Sequence, residues 1–431
     1  MRGLIRTFGG AALVAASVVT GCGPVGDPDA TVDLSRLSPL EQGAAWVADA
    51  DVRRATLEAS IVDRMNTYSA DRLAHYAIPG DGWDARPLWA PPVRPVTVDD
   101  LGRFADDRDR PSTSAEGVLQ PLVLDVDWDE PSLLALGALA FETYPLQVDT
   151  LVERTLDDAA LAERYGLWTD DRGRVGGLVR VTLPDGREGT SVTCATCHAI
   201  PDATGRLEHG RTNARYDRGA IAARFGSGRG AMDGAAWGPG SVDVTADGVV
   251  NAAAITDLRA ISWQSHLHHA GTLRNGLLPL ATRIETLMMT SNPSYRPPRE
   301  VAFALAFYLW SMDPPATADA TERGADLFAT HCARCHHADG TTGPPVPLET
   351  IGTDAAVGRS TARGTGHWRV PSLRGAGTRT QLLHTGDVDG LDALLDPDRL
   401  DRVPGHPFGT SLPAEDRSAL ADFVRSIGGA R

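Results

Sequence analysis

"THCARCHHAD" at residues 330–339 and "SVTCATCHAI" at residues 191–200 share one pattern. Each stretch holds two cysteines separated by two residues, with a histidine directly after the second cysteine. Together the two stretches contain four of the five cysteines of the 431-residue chain. A pattern this specific is unexpected twice in one chain, so it predicts two sites that use the same chemistry.

Three kinds of site use two cysteines at this spacing. Thiolates so spaced can bind one tetrahedral zinc ion, and the same spacing forms the redox pair of thioredoxin-like proteins. The third is covalent attachment of a c-type haem, in which both thiols bond to the porphyrin and the histidine is the proximal iron ligand. Zinc needs four ligands, which would bring two distant cysteine pairs together. Only haem attachment requires the histidine, so the pattern favours it.

The sequence therefore predicts two covalently bound haem c groups. Their attachment residues and proximal ligands are Cys194, Cys197 and His198 in the first motif and Cys332, Cys335 and His336 in the second.

The N-terminus, "MRGLIRTFGGAALVAASVVTGCG" at 1–23, predicts export. Two arginines precede a short apolar stretch and small residues, which is typical of a secretory signal peptide. The stretch before Cys22 resembles a bacterial lipobox, so we expect residues 1–21 to be removed and Cys22 to carry lipid. An ordinary signal peptide with an incidental cysteine is the alternative. The predicted location is the periplasmic side of a bacterial membrane, inner or outer, which suits haem c because it is attached outside the cytoplasm.

Composition narrows the remaining classes of function. A net charge of −15 disfavours binding to nucleic acid and to anionic lipid surfaces. A hydrophobic fraction of 42% is ordinary for a globular protein, and no internal apolar run is long enough to span a membrane. The length allows two or three domains.

A weak internal repeat accompanies the two motifs. "GALAFETY" at 137–144 parallels "GADLFATH" at 324–331, each with a glycine four residues before a phenylalanine. The second copy runs straight into Cys332, whereas residues 145–193 separate the first copy from Cys194. This insertion contains "LVRVTLPDGREGTSVT" at 178–193, which predicts a β-hairpin that turns at 184–186. Helices predicted over 299–312 and 413–429 close the two units. Chance similarity of two short helices is the alternative to a duplication.

Two longer stretches resemble known families. "RGADLFATHCARCHHADGTTGPP" at 323–345 is similar to the opening of class I cytochromes c. "RVPSLRGAGTRTQLLHTGDVDGLDALL" at 369–395 is similar to a stretch of the bacterial diheme cytochrome c peroxidase superfamily. The shared elements are Pro-Ser-Leu-Arg at 371–374, a His-x-Gly element at His384 and a following leucine-rich helix. The superfamily includes the methylamine dehydrogenase maturation diheme enzyme and rubber-oxygenase-like diheme proteins, and the resemblance covers residues 130–431.

The resemblance implies a mainly α fold with two class I cytochrome c-like haem domains. We expect the first domain at 130–315, with the β-hairpin insertion, and the second at 316–431. They are preceded by the signal peptide at 1–21, a flexible tether at 22–45 and an N-terminal helical and loop region at 46–129, to which the sequence assigns no role.

The distal ligand of the second haem departs from the peroxidase pattern. No methionine follows Met312, so a downstream methionine ligand is impossible. Gly-His-Pro-Phe-Gly at 405–409 resembles the position that supplies the distal histidine in rubber-oxygenase-like proteins, which favours His406. His384 is a weaker candidate, because the matching histidine of the peroxidases lies near the haem without binding iron. A third alternative is that His367, His384 and His406 are all loop histidines and the iron is open.

The distal side of the first haem has several candidates. "SHLHHAG" at 265–271 supplies His266, His268 and His269, and its resemblance to Leu-His-Trp-Asp-Gly stretches of related cytochromes indicates His268, either as a ligand or as a pocket residue. Met232 and the pair Met288 and Met289 are alternatives, although the spacing around the pair is more typical of core packing. Trp263, Trp310 and Trp368 are candidate electron relays whose simpler interpretation is structural.

These observations predict a membrane-anchored diheme cytochrome that transfers electrons, with peroxidase- or oxygenase-like catalysis at the first haem. Its partners would be a redox donor or acceptor protein or a small oxidant. The alternative is a pure electron carrier, with both irons six-coordinate, that docks to a partner redox protein. A zinc-stabilised binding lipoprotein is the third class.

Overall fold

The computed structural model describes residues 34–103, 127–183, 186–243, 245 and 249–429. The predicted signal peptide and Cys22 lie outside these residues. The chain divides into two compact units, 1–38 and 39–431. Of the first unit the structure describes a short 3-10 helix, Leu34–Arg36. No described helix is both long enough and apolar enough to cross a membrane.

Helices dominate the second unit. The described α-helices are α1 (Pro39–Ala48), α2 (Ala50–Ser60), α3 (Thr67–His75), α4 (Glu130–Thr143), α5 (Thr150–Glu153), α6 (Ala159–Arg164), α7 (Cys194–His198), α8 (Arg218–Phe225), α9 (Gly228–Gly234), α10 (Leu277–Ser291), α11 (Arg299–Ser311), α12 (Glu322–His331), α13 (Leu348–Ile351), α14 (Ala356–Arg359), α15 (Gly390–Leu395) and α16 (Ala414–Ser426). Further 3-10 helices are Val98–Asp100, Arg154–Asp157, Ile261–Trp263, Ala376–Thr378 and Pro397–Arg399.

The strands are short and mostly paired two by two. They are β1 (Val93–Thr97), β2 (Gln147–Val148), β3 (Arg174–Thr182), β4 (Glu188–Val192), β5 (Ala199–Pro201), β6 (Leu207–His209), β7 (Ser241–Val242), β8 (Ala253–Ala254), β9 (His266–Leu267), β10 (Leu273–Arg274), β11 (Val346–Pro347) and β12 (His367–Trp368). The four-stranded sheet has the order β1-β3-β4-β2, and the antiparallel pairs are β5-β6, β7-β8, β9-β10 and β11-β12.

Helix α4 contains the glycine and phenylalanine of the first repeat copy, and it crosses α11 at that glycine. Asp129 starts α4, because its carboxylate accepts a hydrogen bond from the backbone N–H of Ser132 (2.8 Å). A Cβ on Gly137 would lie 2.2 Å from the carbonyl oxygen of Ala304 and 2.5 Å from Cβ of Tyr308. Only glycine therefore permits this close crossing.

The same packing occurs between α12 and α16. A Cβ on Gly324 would lie 2.4 Å from the carbonyl oxygen of Ala419 and 2.8 Å from Cβ of Phe423. In both crossings the glycine lies against a backbone carbonyl of the partner helix. It also lies against the Cβ of an aromatic residue that follows that carbonyl by four positions. The phenylalanine four residues after each glycine lies near that aromatic ring, with ring centres 6.2 Å apart for Phe141 and 5.0 Å apart for Phe328. The Gly-x-x-x-Phe repeat thus corresponds to one packing geometry that occurs twice.

The inserted hairpin belongs to a larger sheet than the sequence predicts. Strands β3 and β4 pair from Leu178 with Val192 to Thr182 with Glu188, as expected for a hairpin. Strand β1 of the N-terminal region also pairs with β3, with Val93 opposite Val181. The region predicted at 46–129 is therefore built into the same sheet as the insertion.

The N-terminal helices begin earlier than the helical and loop region predicted at 46–129. The segment forms three helices, α1 to α3, and α1 begins inside the stretch predicted as a flexible tether. The indole N–H of Trp46 donates to the hydroxyl of Thr282 on α10 (3.0 Å), and Nε of Arg72 on α3 donates to the hydroxyl of Thr286 (3.1 Å). Since these donors face one side of α10, the chain bends between helices so that all three can pack on it. The leucine-rich helix expected after His384 is α15, which is only a short segment.

Candidate haem sites

The first motif is a single helical turn, α7, held against the sheet. The hydroxyl of Thr193 accepts a hydrogen bond from the backbone N–H of Ala195 (3.2 Å), and the hydroxyl of Thr196 accepts one from the backbone N–H of Thr193 (3.1 Å). Gly177 on β3 has φ +62°, and a Cβ there would lie 2.7 Å from the backbone nitrogen of Thr196. The glycine lets β3 lie directly against the turn, which fixes the direction of the motif's side chains.

His198 has the surroundings of a metal-binding histidine. Its Nδ1 lies 2.9 Å from the carbonyl oxygen of Thr256, which accepts the Nδ1–H hydrogen bond. Burial lowers the pKa of His198 to about 4, so the ring is neutral at pH 7. A neutral imidazole whose Nδ1–H is bound to a carbonyl presents the lone pair of Nε2 to a metal.

Burial favours the protonated form of three of the four motif thiols. Burial raises the pKa of Cys194 and of Cys197 to about 12, and that of Cys332 in the second motif to about 11. A redox-active cysteine or a zinc ligand requires a stabilised thiolate, which is the opposite shift.

The two cysteine pairs also lie in different parts of the fold. Cys197 packs against a core that includes Leu156 and Ile221, whereas Cys332 packs against a core that includes Phe328 and Leu420. Among the described residues, no three histidine, cysteine or acidic side chains are grouped so that they could hold a metal ion. A zinc site joining the two pairs is therefore inconsistent with the fold.

The second motif follows α12 directly, as predicted, and borders a cavity. The backbone N–H of His336 donates to the carbonyl of Cys332 (3.0 Å), and that of Gly343 donates to the carbonyl of Cys335 (2.9 Å), so the motif closes into a compact loop. The cavity has a volume of about 480 Å³, within the usual range of roughly 300–1,000 Å³ for ligand and cofactor sites. Its wall is mostly apolar, and it includes Cys332, Cys335, His336, Leu373, Leu382, Leu391, Leu395, Phe408, Leu420 and Val424.

His406 stands across this cavity from His336. The centres of the two imidazole rings are 6.5 Å apart. Two imidazoles on opposite sides of one metal ion have ring centres roughly 6 Å apart, because each nitrogen lies about 2 Å from the metal and about 1 Å from its ring centre. Burial lowers the pKa of His336 to about 3 and that of His406 to about 4, so both rings are neutral and able to coordinate.

The loop that presents His406 is held in an unusual backbone conformation. His406 has φ +49°, a region that is uncommon for residues other than glycine. Arg399 fixes this loop, because its guanidinium donates to the carbonyls of Gly405 (2.9 Å) and His406 (3.1 Å). The backbone N–H of His406 also donates to the carbonyl of Ile351 (2.7 Å). Such strain persists where surrounding contacts hold it, and it is common in functional sites.

The other candidate histidines of the second site are placed differently. His384 lines the same cavity, but its ring stacks on Trp368 at 4.1 Å and lies edge-on to His269 at 6.4 Å. His367 is exposed. The structure therefore brings His336 and His406 together and leaves His384 engaged with its aromatic neighbours. The assignment of His406 as distal ligand stays a prediction, which this geometry supports.

Two arginines in the cavity wall were not found from the sequence. Arg369 and Arg379 form no ion pair among the described residues, and Nε of each is buried without a hydrogen-bond partner. Burial, together with the neighbouring Arg379, lowers the pKa of Arg369 to about 10. Buried cations without a carboxylate partner suit the propionate groups of a haem. Both lie in the stretch 369–395 that resembles the peroxidase superfamily, but the sequence assigned neither of them a role.

Near the first motif, His268 is the candidate whose surroundings connect it to the site. Its Nε2 accepts a hydrogen bond from Nε of Arg283 (2.5 Å). The charge of Arg283 also acts as a minor influence on Cys194, whose pKa burial raises, and on His198, whose pKa burial lowers. Since Nε2 is engaged, His268 is positioned to line the distal space rather than to bind iron through that atom. Like His406, it has a positive φ, +63°.

The remaining candidates near the first site have other roles. Met232 is 72% exposed, whereas Met288 and Met289 are buried in the core. His266 lies beside the hydroxyl of Ser265 (3.0 Å), and Nε2 of His269 lies 2.9 Å from the carbonyl of Ala254.

Of the three candidate tryptophan relays, Trp368 borders the second cavity. Trp263 packs under the guanidinium of Arg374, whose carbon is 3.9 Å from the ring centre. Trp310 is on α11, outside the residues that line this cavity.

Comparison with known proteins identifies one part of the chain. The cytochrome c family model matches residues 321–428, which extend from the cap of α12 to the end of α16 and include the second motif. These residues are a cytochrome c domain, which implies covalently bound haem c and electron transfer. The match does not reach the first motif. No curated protein and no solved structure is detectably similar to the chain.

Proposed function

We propose that the chain is a diheme c-type cytochrome in which the second haem relays electrons and the first reacts with a small oxidant. The observation that carries this division is the contrast between the two histidine-containing motifs. His336 faces a second imidazole at 6.5 Å, whereas His268, the candidate distal residue of the first motif, has its Nε2 engaged by Arg283. A haem iron with two histidine ligands is suited to electron transfer, and an open position permits a substrate to bind.

Two observations support a haem at the first motif as well. The helix crossing at Gly137 repeats the crossing at Gly324, which lies inside the cytochrome c domain. Both motifs also present a neutral histidine directly after the second of their two cysteines. We therefore propose that residues 130–315 form a second cytochrome c domain with an inserted hairpin.

The side chains around each motif prepare the site for this chemistry. Haem c, when bound, supplies a one-electron iron couple and, where an axial position is open, a site for a small oxidant. The carbonyl of Thr256 orients His198, and the apolar wall of the second cavity excludes water from His336 and His406. Because Nε2 of His268 accepts from Arg283, its proton is on Nδ1, which is buried without a partner and can donate to a bound oxidant.

The chain also joins the two sites over short distances. His268 is hydrogen-bonded to Arg283, whose charge acts on His198 of the first motif, and its neighbour His269 lines the second cavity. Thr256, whose carbonyl binds His198, lines the second cavity too. If both motifs hold haem, these residues would connect the two groups and would be placed to carry electrons between them.

Haem content and spin state test this proposal. The pyridine haemochrome spectrum of the purified protein should give two haem c per chain, and a spectrum without the haem c signature would reject the proposal. Electron paramagnetic resonance of the oxidised protein should show one low-spin and one high-spin ferric signal. Two low-spin signals would instead support the pure electron carrier that docks to a partner redox protein.

We further propose that the protein is exported and anchored to a membrane through lipid on Cys22, so that its electron donor would be another protein on the same side of the membrane. Fractionation of cells expressing Cys22→Ser tests the anchor. The variant should move from the membrane fraction to the soluble fraction, and retention in the membrane fraction would contradict a lipid anchor at this residue.

A further inference from the structure

A cluster of cationic side chains surrounds Tyr68 beside the first motif. The guanidinium carbon of Arg72 lies 3.4 Å from the centre of the Tyr68 ring, and that of Arg363 lies 5.3 Å from it. The ring of His268 meets the same ring edge-on at 4.9 Å, and Arg283 donates to that histidine. The cluster thus joins residues from α3, the turn between β9 and β10, α10 and the cytochrome c domain.

The positive charge of this cluster is not neutralised by the chain. Within the described residues, Arg72, Arg283 and Arg363 form no ion pair. Burial and the neighbouring Arg283 lower the pKa of Arg363 to about 9. The carboxylate of Asp243 raises that pKa slightly, but it forms no ion pair with Arg363. Arg72 is buried, and Arg283 and Arg363 are half-buried. Cations that repel one another in such a position are stabilised by an accompanying anion.

Tyr68 supplies an independent indication of a ligand. Its side chain is 6% exposed, and its hydroxyl has no hydrogen-bond partner. The nearby hydroxyl of Thr286 already accepts from Arg72 (3.1 Å) and donates to the carbonyl of Arg283 (3.3 Å). A buried hydroxyl without a partner costs free energy unless a bound group satisfies it.

We propose that Tyr68, Arg72, Arg283 and Arg363 form a binding site for a small oxyanion or carboxylate beside the first haem. Guanidinium groups bind such anions through charge-assisted hydrogen bonds, and the tyrosine hydroxyl adds a neutral donor. The N-terminal region, to which the sequence assigns no role, thereby supplies two of the four residues of the site. The anion is either a diffusible molecule or a propionate of the first haem.

Sulfate is a suitable probe for the diffusible anion because it carries two negative charges and is a poor ligand for haem iron. Isothermal titration calorimetry of the full-length holoprotein, in chloride at matched ionic strength, should show saturable sulfate binding. Arg363→Gln and Tyr68→Phe should each weaken that binding by about tenfold or more, since each removes a donor to the anion. Arg64→Gln is the matched control, because Arg64 is exposed in the same region and should leave the affinity unchanged.

Tyr68→Phe keeps the ring and its contacts with both guanidinium groups, so it remains informative if an arginine variant fails to fold. The calorimetric result does not depend on the proposed redox function, because the cluster belongs to the chain itself. A propionate can be the anion only if the first motif holds a haem. The haem content of the protein tests that point separately.

A second measurement separates the two sources. If a propionate occupies the site, the wild-type protein binds no sulfate, and Arg363→Gln lowers the reduction potential of the first haem because a nearby positive charge is lost. Arg64→Gln leaves that potential unchanged. Sulfate binding that Arg363→Gln and Tyr68→Phe leave intact would overturn the proposal. So would the absence of sulfate binding together with an unchanged potential in Arg363→Gln.

Discussion

We expect His406→Gly to convert the iron of the second haem from low spin to high spin. His336 and His406 face each other across the second cavity with ring centres 6.5 Å apart, and no methionine lies downstream to replace the lost ligand. Glycine accepts the positive φ of this position, so the substitution removes the imidazole without adding backbone strain. Electron paramagnetic resonance of the oxidised protein should show the second haem's low-spin ferric signal replaced by a high-spin one.

Two comparisons make this result specific to His406. His367→Ala removes an exposed histidine of the same domain and should leave the low-spin signal intact. Free imidazole should restore the low-spin signal of His406→Gly, because the variant leaves a ring-sized space in an otherwise unchanged pocket. A low-spin signal that persists in His406→Gly but disappears in His384→Ala would assign the ligand to His384 instead.

Local patterns in the sequence predicted the parts of the fold that depend on short spacings. The helix that runs into Cys332, the hairpin β3-β4 and the helices α11 and α16 all follow from the periodicity of apolar residues and from turn residues. The glycine at each helix crossing was visible as a Gly-x-x-x-Phe repeat. Glycine is required there because a Cβ at either position would lie 2.2–2.4 Å from a carbonyl oxygen of the partner helix. The sequence does not show that contact, because it depends on which helices pack together.

The position of the N-terminal region could not be predicted in this way. Strand β1 joins the inserted hairpin. Helices α1 to α3 pack on α10, which follows them by about two hundred residues in the chain. Such pairings depend on which faces remain uncovered after the haem-binding regions have formed. No local signal in the N-terminal sequence identifies those faces.

The anion-binding cluster was hidden for a related reason. Its arginines are spread from Arg72 to Arg363, and nothing in their neighbouring residues distinguishes them from surface arginines. What distinguishes them is burial without a carboxylate partner, which only the folded chain reveals. His268 was indicated by a resemblance, either as a ligand or as a pocket residue, and its contact with Arg283 supports the second role.

Removing the first haem should abolish reaction with small ligands while leaving the relay haem intact. In a double variant, Cys194→Ala with Cys197→Ala, we expect haem content to fall from two to one per chain. The surviving haem should stay low spin, because Cys332 of the second motif packs in a separate core from Cys197 of the first. Cyanide binding to the oxidised protein, followed by the Soret band, should fall at least about a hundredfold, since a six-coordinate iron has no free position.

The matched variant, Cys332→Ala with Cys335→Ala, should give the opposite result. It keeps the first motif, whose turn is held by Thr193 and by the close approach of Gly177, so that turn should fold without the second haem. Its remaining iron should be high spin and should bind cyanide as readily as the wild-type protein does. If cyanide binding instead survives in the variant that lacks Cys194 and Cys197, the second haem is the open one, and the proposed division of roles is reversed.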